Sequence, residues 1–220
     1  MRFFDIFVAC CLLLILSPLL VFVAIILRFT GEGEVVYRQK RVGYTGDHFY
    51  IFKFATMLKD SPNIGAGTLT MKDDPRVLPF GKFLRKSKIN ELPQLVNVVL
   101  GDMALVGPRP LVPDGENLYP PEISRKIRSI RPGLTGMGSL ALRDEEALYA
   151  HRIDAEEYYT NVIQPYKARL ELYYIEKKSI RFDMKVIICT ALCVLYPKFN
   201  IRFLFSDIPS SQFESMEIPK

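Results

Sequence analysis

The sequence is poor in the side chains that build metal and covalent centres. It has two histidines, His48 and His151, and four cysteines, Cys10, Cys11, Cys189 and Cys193, each within an apolar run. No cysteine stands at a zinc-like spacing from a histidine, so reduced thiols and no thiolate metal site are expected. Cys189 and Cys193 are four apart, where small buried hydrophobes on one helix face are the simple reading. There is no internal repeat, no low-complexity tract, and neither the long basic run nor the aromatic–basic motif of a nucleic-acid binder. Charge is missing most completely at the start: none occurs over the 22 residues from Ile6 to Leu27.

That uncharged run must leave water. A secretory signal is excluded, because its apolar region is about 7–15 residues long and ends at small residues. Here Ala24 leads into Ile25, Ile26 and Leu27. A spanning helix needs about 20 apolar residues, so length alone permits one. Pro18 removes a helical hydrogen bond and crowds the Leu14 carbonyl, which bends the segment, and the Ser17 hydroxyl can meet a freed carbonyl. Basic residues mark the cytoplasmic side, and they flank both ends: Arg2 before, Arg28, Arg38, Lys40 and Arg41 after. A hairpin turning at Ser17-Pro18 is therefore favoured over a spanning helix, each arm being about 14–21 Å long. Either topology leaves the remaining chain in the cytoplasm.

The 220 residues allow one domain of ordinary size beside this segment. A net charge of +5 favours anionic partners, membrane lipid and phosphates before nucleic acid. Residues 1–30 form the membrane unit, 31–205 a cytosolic domain, and 206–220 a poorly ordered tail. Residues 31–57 alternate apolar and polar side chains between glycines, as a hairpin does. Residues 60–79 form a Gly-, Pro- and Asp-rich loop. Residues 80–102 read as two helices meeting near Asn90 to Pro93, followed by a rigid "ALVGPRPLVP". A short basic helix over Pro121 to Ile130, a "RPGLTG" turn and two further helices over 154–179 and 180–198 complete an α+β, mostly helical fold. The last helix has only eleven uncharged residues between Lys185 and Pro197, too few to span, and reads as a core helix or one lying on the membrane interface.

Three stretches concentrate chemistry. Arg85, Lys86 and Lys88 crowd positive charge before Asn90-Glu91, a pattern that also suits a solvated helix face. Arg109 lies between Pro108 and Pro110, pre-organised to grip a phosphate with two hydrogen bonds or to pair with a structural carboxylate. Gly133 and Gly136 permit turns that would offer backbone N–H groups to an anion.

Together, the Ser-Pro break, Lys53-Phe54, "DDPRVLPFGKFLRK", "NELPQLVNVVLGDMALVGPRP" and "RPGLTG" make residues 1–200 resemble the monotopic bacterial sugar transferases. These act as polyprenyl-phosphate phosphoglycosyl transferases. The resemblance implies a re-entrant helix broken at Ser17 and Pro18, on the cytoplasmic face of the bacterial inner membrane. It implies transfer of a sugar-1-phosphate from a UDP-sugar to undecaprenyl phosphate, with release of UMP and use of Mg²⁺. Asn90 and Glu91 fall on the catalytic and metal-binding pair, with Lys53, Arg85 and Arg109 on the substrate phosphates, and Arg131 and Thr135 toward the nucleotide. Membrane lipid, a homodimer and downstream glycosyltransferases are the further partners implied.

The sequence departs from that family at its centre. The family's pair is Asp-Glu in "DELPQ", and the aspartate attacks the donor phosphate; here the stretch is "NELPQ". An amide lacks the anionic oxygen of a nucleophile, although its carbonyl can still meet Mg²⁺. Three accounts remain open. The acceptor phosphate attacks directly, or Glu91 or an acid of Asp144-Glu145-Glu146 replaces the nucleophile, or the chain is an impaired homologue that binds UDP-sugar as a scaffold. Ala55 also stands where the family more often carries arginine. Residues 137–148 are a candidate sugar-specificity segment.

Overall fold

A computed structural model describes residues 2–64, 73–113, 119–149 and 152–211. The uncharged run forms helix α1, Arg2–Phe29, which runs on through Pro18 as one helix. The disturbance that proline causes is repaired locally: Ser17 Oγ donates to the Leu14 carbonyl at 2.7 Å, the acceptor left without its usual N–H. Half of the α1 residues are exposed. Leu14 and Ile15 are 76% and 71% exposed, and such unpartnered apolar surface calls for lipid rather than water.

Both halves of α1 nonetheless rest on the folded domain. Ala9, with Val8, Leu12 and Leu13 beside it, packs into the main core, and the Arg2 guanidinium donates to the Val99 and Met103 carbonyls, each at 3.1 Å. Val23 and Leu27 pack with Phe54 and Leu84 in a second, smaller cluster. A straight helix of this length covers about 42 Å, so α1 meets the domain at two well-separated places.

The hairpin expected from alternation is present. Strands β1, Val36–Val42, and β2, His48–Phe54, pair antiparallel with Tyr37 opposite Lys53 and Arg41 opposite Phe49. Because side chains alternate along a strand, Arg41 and Lys53 fall on one face. Helix α2, Pro79–Lys86, and helix α3, Gln94–Leu100, flank a 3-10 turn over Ile89–Glu91, as Pro93 requires. Asn97 of α3 ties the hairpin down, its amide meeting the Tyr50 carbonyl at 2.8 Å and the Phe52 N–H at 3.0 Å.

The "LVGPRP" and "RPGLTG" stretches meet as two short parallel strands, β3, Ala104–Val106, and β4, Gly133–Thr135. This corrects the reading of the glycines as an anion cradle. The Gly133 N–H goes to the Pro108 carbonyl at 2.8 Å, and a Cβ on Gly107 would lie 2.4 Å from the Arg131 carbonyl oxygen. The glycines are there because two backbones touch.

Helix α4, Pro121–Arg128, precedes β4. Short helices α5, Met137–Ala141, α6, Glu145–Leu148, and α7, Ala155–Tyr158, follow it. A π turn over Tyr159–Ile163 then leads into α8, Gln164–Lys177, and α9, Ile180–Leu195. Leu170, Tyr174, Val186 and Cys189 form the centre of the core with Met103 and Met137. One face of α9 belongs to the core, with Val186, Cys189 and Cys193 buried, whereas Ile188 and Leu195 on the other are 51% and 71% exposed. The ordered chain continues past Phe205. Asp207 accepts from the Tyr173 hydroxyl at 2.7 Å and pairs with Lys177 at 2.9 Å, and Tyr166 donates to the Pro209 carbonyl at 3.0 Å. Residues 206–211 are thus a strap docked on α8, held by contacts with residues distant in sequence. The rest of the expected tail, 212–220, lies outside the described residues.

Candidate active site

The site begins with a local chain reversal. Helix α2 ends at Ser87, whose hydroxyl bonds back to the Phe83 carbonyl at 2.9 Å. Lys88 then adopts a left-handed conformation, φ 59°, which is costly for a residue with a Cβ. That turn swings Asn90 and Glu91 toward the hairpin, and the Glu91 N–H bonds the Lys88 carbonyl at 3.1 Å.

Glu91 is the electrostatic centre. Its Oε1 receives Arg109 Nη2 at 2.9 Å and faces Lys53 Nζ at 3.4 Å. Burial alone would raise the Glu91 carboxyl, but the charges of Arg109 and Lys53 hold it far below the usual carboxylate range. Lys53 responds in the other direction. Burial lowers its ammonium to about 7, with Glu91 opposing the shift and Arg109 and Arg41 adding to it. Its side chain keeps 15% of its surface open, so water moderates that shift. Arg109 is raised by Glu91 above the ordinary arginine range.

Asn90 is buried, and its Oδ1 finds no hydrogen-bond partner among the described residues. A buried carbonyl oxygen without a donor is costly, so this atom is poised for a group the protein itself does not supply.

Further groups close in around this centre, and sequence reasoning missed several. Arg41 donates to the Pro110 carbonyl at 2.9 Å, and burial lowers its guanidinium to about 10, with the nearby Arg109 adding to the effect. Glu171 of α8 accepts the Arg109 backbone N–H at 3.3 Å; its other oxygen has no partner among the described residues, and burial raises its carboxyl to about 7. Lys167 pairs with Glu145 at 2.6 Å and reaches the Tyr159 hydroxyl at 3.3 Å. Strand alternation signals Arg41, since it shares a face with Lys53 once the register is known. Glu171 leaves a fainter mark, one acid between Leu170 and Leu172 in an otherwise buried stripe.

Of the residues singled out from sequence, Lys53, Arg85, Asn90, Glu91, Arg109 and Thr135 line one cleft of about 1980 Å³. Arg85 is held by Glu146 at 2.5 Å, which brings the candidate specificity segment against the cationic cluster. Thr135 shares a hydrogen bond of 2.8 Å with Thr190. Arg131 lies elsewhere, its Nε on the Gly101 carbonyl at 3.2 Å and its guanidinium over the Tyr44 ring. Ser17 and Pro18 stay in α1. Among the described residues no group of three or more His, Cys, Asp or Glu is arranged to hold a metal ion.

An apolar helix long enough to cross a membrane stands beside a cleft lined with Lys53, Arg41, Arg85 and Arg109, cations that suit anionic ligands. The chain belongs to the bacterial sugar transferase family, whose pattern covers residues 1–197. It is 36% identical over 172 residues to the exopolysaccharide production protein ExoY of Sinorhizobium fredii, covering 72% of this chain and 75% of that one. It is 34% identical over 205 residues to the exopolysaccharide production protein PSS of Rhizobium leguminosarum, covering 88% and 94%. The UDP-glucose:undecaprenyl-phosphate glucose-1-phosphate transferase of Escherichia coli is 32% identical over 191 residues, 84% of this chain but only 38% of that longer protein.

Proposed function

We propose that this chain is a phosphoglycosyl transferase that moves a sugar-1-phosphate from a UDP-sugar to undecaprenyl phosphate and releases UMP. The relatives named as glucose-1-phosphate transferases support the reaction class. The observation that carries it is the Glu91 carboxylate held by Arg109 and Lys53 in a cleft beside α1. Two anionic substrates repel each other, and a clamp of fixed cations offsets that repulsion as charge moves between them.

The residues divide the work. Arg109, fixed by two prolines and by Glu171, grips phosphate oxygens; Lys53 and Arg41 add charge from the same face of the hairpin. Glu91 keeps these like charges together when no ligand is bound and orients them. Asn90 Oδ1 and the Glu91 carboxylate suit a Mg²⁺ ion, which ordinarily takes one or two protein oxygens and completes its shell with substrate phosphates and water. Such an ion would supply charge neutralisation on the donor diphosphate.

Position 90 bears on the bond-making step. Its amide oxygen is not a nucleophile, and the acceptor phosphate is already anionic. Direct in-line attack is then the simplest step: a new P–O bond forms from the acceptor oxygen as the bond to UMP breaks, and UMP leaves with the electron pair. The two contacts of α1 with the domain support a monotopic, re-entrant seat on the cytoplasmic face of the inner membrane, since a straight crossing would carry one end away.

The amide at Asn90 also favours a second reading, a donor-binding scaffold without turnover. UMP release with undecaprenyl phosphate, Mg²⁺ and a panel of UDP-sugars separates them. Turnover by this chain and by Asn90→Ala supports direct attack; turnover only in Asn90→Asp means that the amide has switched off a covalent route. Silence from all three, with UDP-sugar binding retained, supports the scaffold.

A further inference from the structure

A second group of cations lines the cleft: Lys82, Arg85, Lys86 and Lys88, from α2 and the turn after it. Among the described residues Arg85 alone of the four is in an ion pair, with Glu146 Oε1 at 2.5 Å. Its guanidinium also meets the Met57 sulfur, a weak acceptor, at 3.9 Å. Glu146 comes from α6, and its neighbour Glu145 pairs with Lys167 of α8 at 2.6 Å. Adjacent helix residues point to different sides, so this short helix is tied to α2 by one acid and to α8 by the next. Its flanks are held separately. Arg143 donates to the Cys193 and Pro197 carbonyls at 3.4 and 2.5 Å, and the buried Tyr149 ring meets the Tyr159 ring edge-on. The Arg85–Glu146 pair is therefore not what seats α6. Its side chains keep 27% and 43% of their surface open, and an ion pair so exposed is worth little and is easily exchanged.

We propose that Glu146 is a stand-in for the donor diphosphate: it holds Arg85 before a ligand binds and gives the guanidinium up to the UDP-sugar. This rests on the donor assigned above. A diphosphate carries more charge than one carboxylate and accepts two parallel N–H bonds from a guanidinium, so the exchange runs toward the ligand. Glu146 has open surface through which to turn to water. Glu145 and Lys167, 21% and 15% exposed, stay paired and keep α6 in place. Parting Arg85 from Glu146 draws on the binding energy of the donor, so the carboxylate lowers donor affinity.

Calorimetric titration of the full chain with UDP-glucose, inorganic pyrophosphate and water-soluble geranyl phosphate tests this. Glu146→Gln keeps the side-chain shape without the charge, and Glu145→Gln removes the same charge one residue earlier. Glu146→Gln is expected to bind UDP-glucose and pyrophosphate about three- to fivefold more tightly, the factor a partly exposed ion pair carries. Glu145→Gln is expected to show no gain, and in an Arg85→Gln background the gain from Glu146→Gln is expected to vanish. Unchanged or weaker binding in Glu146→Gln overturns the proposal. So does an equal gain in Glu145→Gln, which would be a general charge effect, or a gain that survives without Arg85. A gain confined to geranyl phosphate would put Arg85 on the acceptor and overturn it as well. Tighter pyrophosphate binding without UMP release from any UDP-sugar would keep the exchange and sink the transferase reading. UMP release with unchanged affinities would do the reverse.

Discussion

Arg109 Nη2 lies 2.9 Å from Glu91 Oε1, although the two residues come from different elements and are separated by eighteen positions. One oxygen of Glu91 serves both Arg109 and Lys53, so a single carboxylate sets the geometry of the two cations beside it.

Replacing that carboxylate tests the arrangement. Glu91→Gln leaves two like charges side by side without a counter-charge, and UMP release is expected to fall about a hundredfold or more, the size seen when preorganised charge is lost. Arg109→Lys keeps the charge but loses the fork that grips two oxygens at once, and its loss should fall mainly in kcat/KM. Near-normal rates in both variants would remove the pair from the mechanism.

Lys53 gives a pH signature. Its ammonium is depressed to about 7, so it is charged below that pH and loses its charge as pH rises. The KM for UDP-sugar is expected to climb through that range in the wild type. Lys53→Arg stays charged and should flatten the profile. Matching profiles in the two proteins would assign the limb to another group.

Glu171 affects stability with the opposite sense to an ordinary carboxylate. Its folded-state value is raised from 4.5 to about 7, so the folded protein holds a proton that the unfolded chain has released. That contribution is complete below about 4.5 and is lost as pH rises through about 7. Glu171→Gln keeps an oxygen for the Arg109 N–H and does not titrate. Its Tm should gain on that of the wild type across this window, and curves that run parallel would contradict the buried-carboxyl account.

Gly107→Ala probes the contact between the two motif strands. Its Cβ would sit 2.4 Å from the Arg131 carbonyl oxygen and 2.8 Å from the Gly133 nitrogen, both backbone atoms that cannot step aside. A loss of about 3 kcal/mol or more in denaturant unfolding is expected, at the upper end for overpacking. A loss under about 1 kcal/mol would mean that β3 and β4 separate easily.

Much of this protein was legible in its sequence. Uncharged length from Ile6 to Leu27 determined an apolar helix long enough to cross a membrane, and the fold leaves most of that stretch unburied. Pro93 determined that the helices around Asn90 are separate. Period-two alternation determined the hairpin. Motif order determined the family, and with it the neighbourhood of Lys53, Arg85, Asn90, Glu91 and Arg109.

Tertiary structure decided what local pattern cannot carry. Arg131 and Arg109 look alike in the sequence, each beside a proline, yet one lies over Tyr44 and the other in the cleft. The glycines of "RPGLTG" serve backbone contact with Gly107, a partner in another stretch of chain. Glu171 becomes a buried partner of Arg109 only when α8 packs beneath β3, and Asp207 is ordered only because Lys177 and Tyr173 meet it. In each case the deciding free energy belongs to a contact between distant residues, desolvated together, and such a contact leaves no periodicity in either stretch alone.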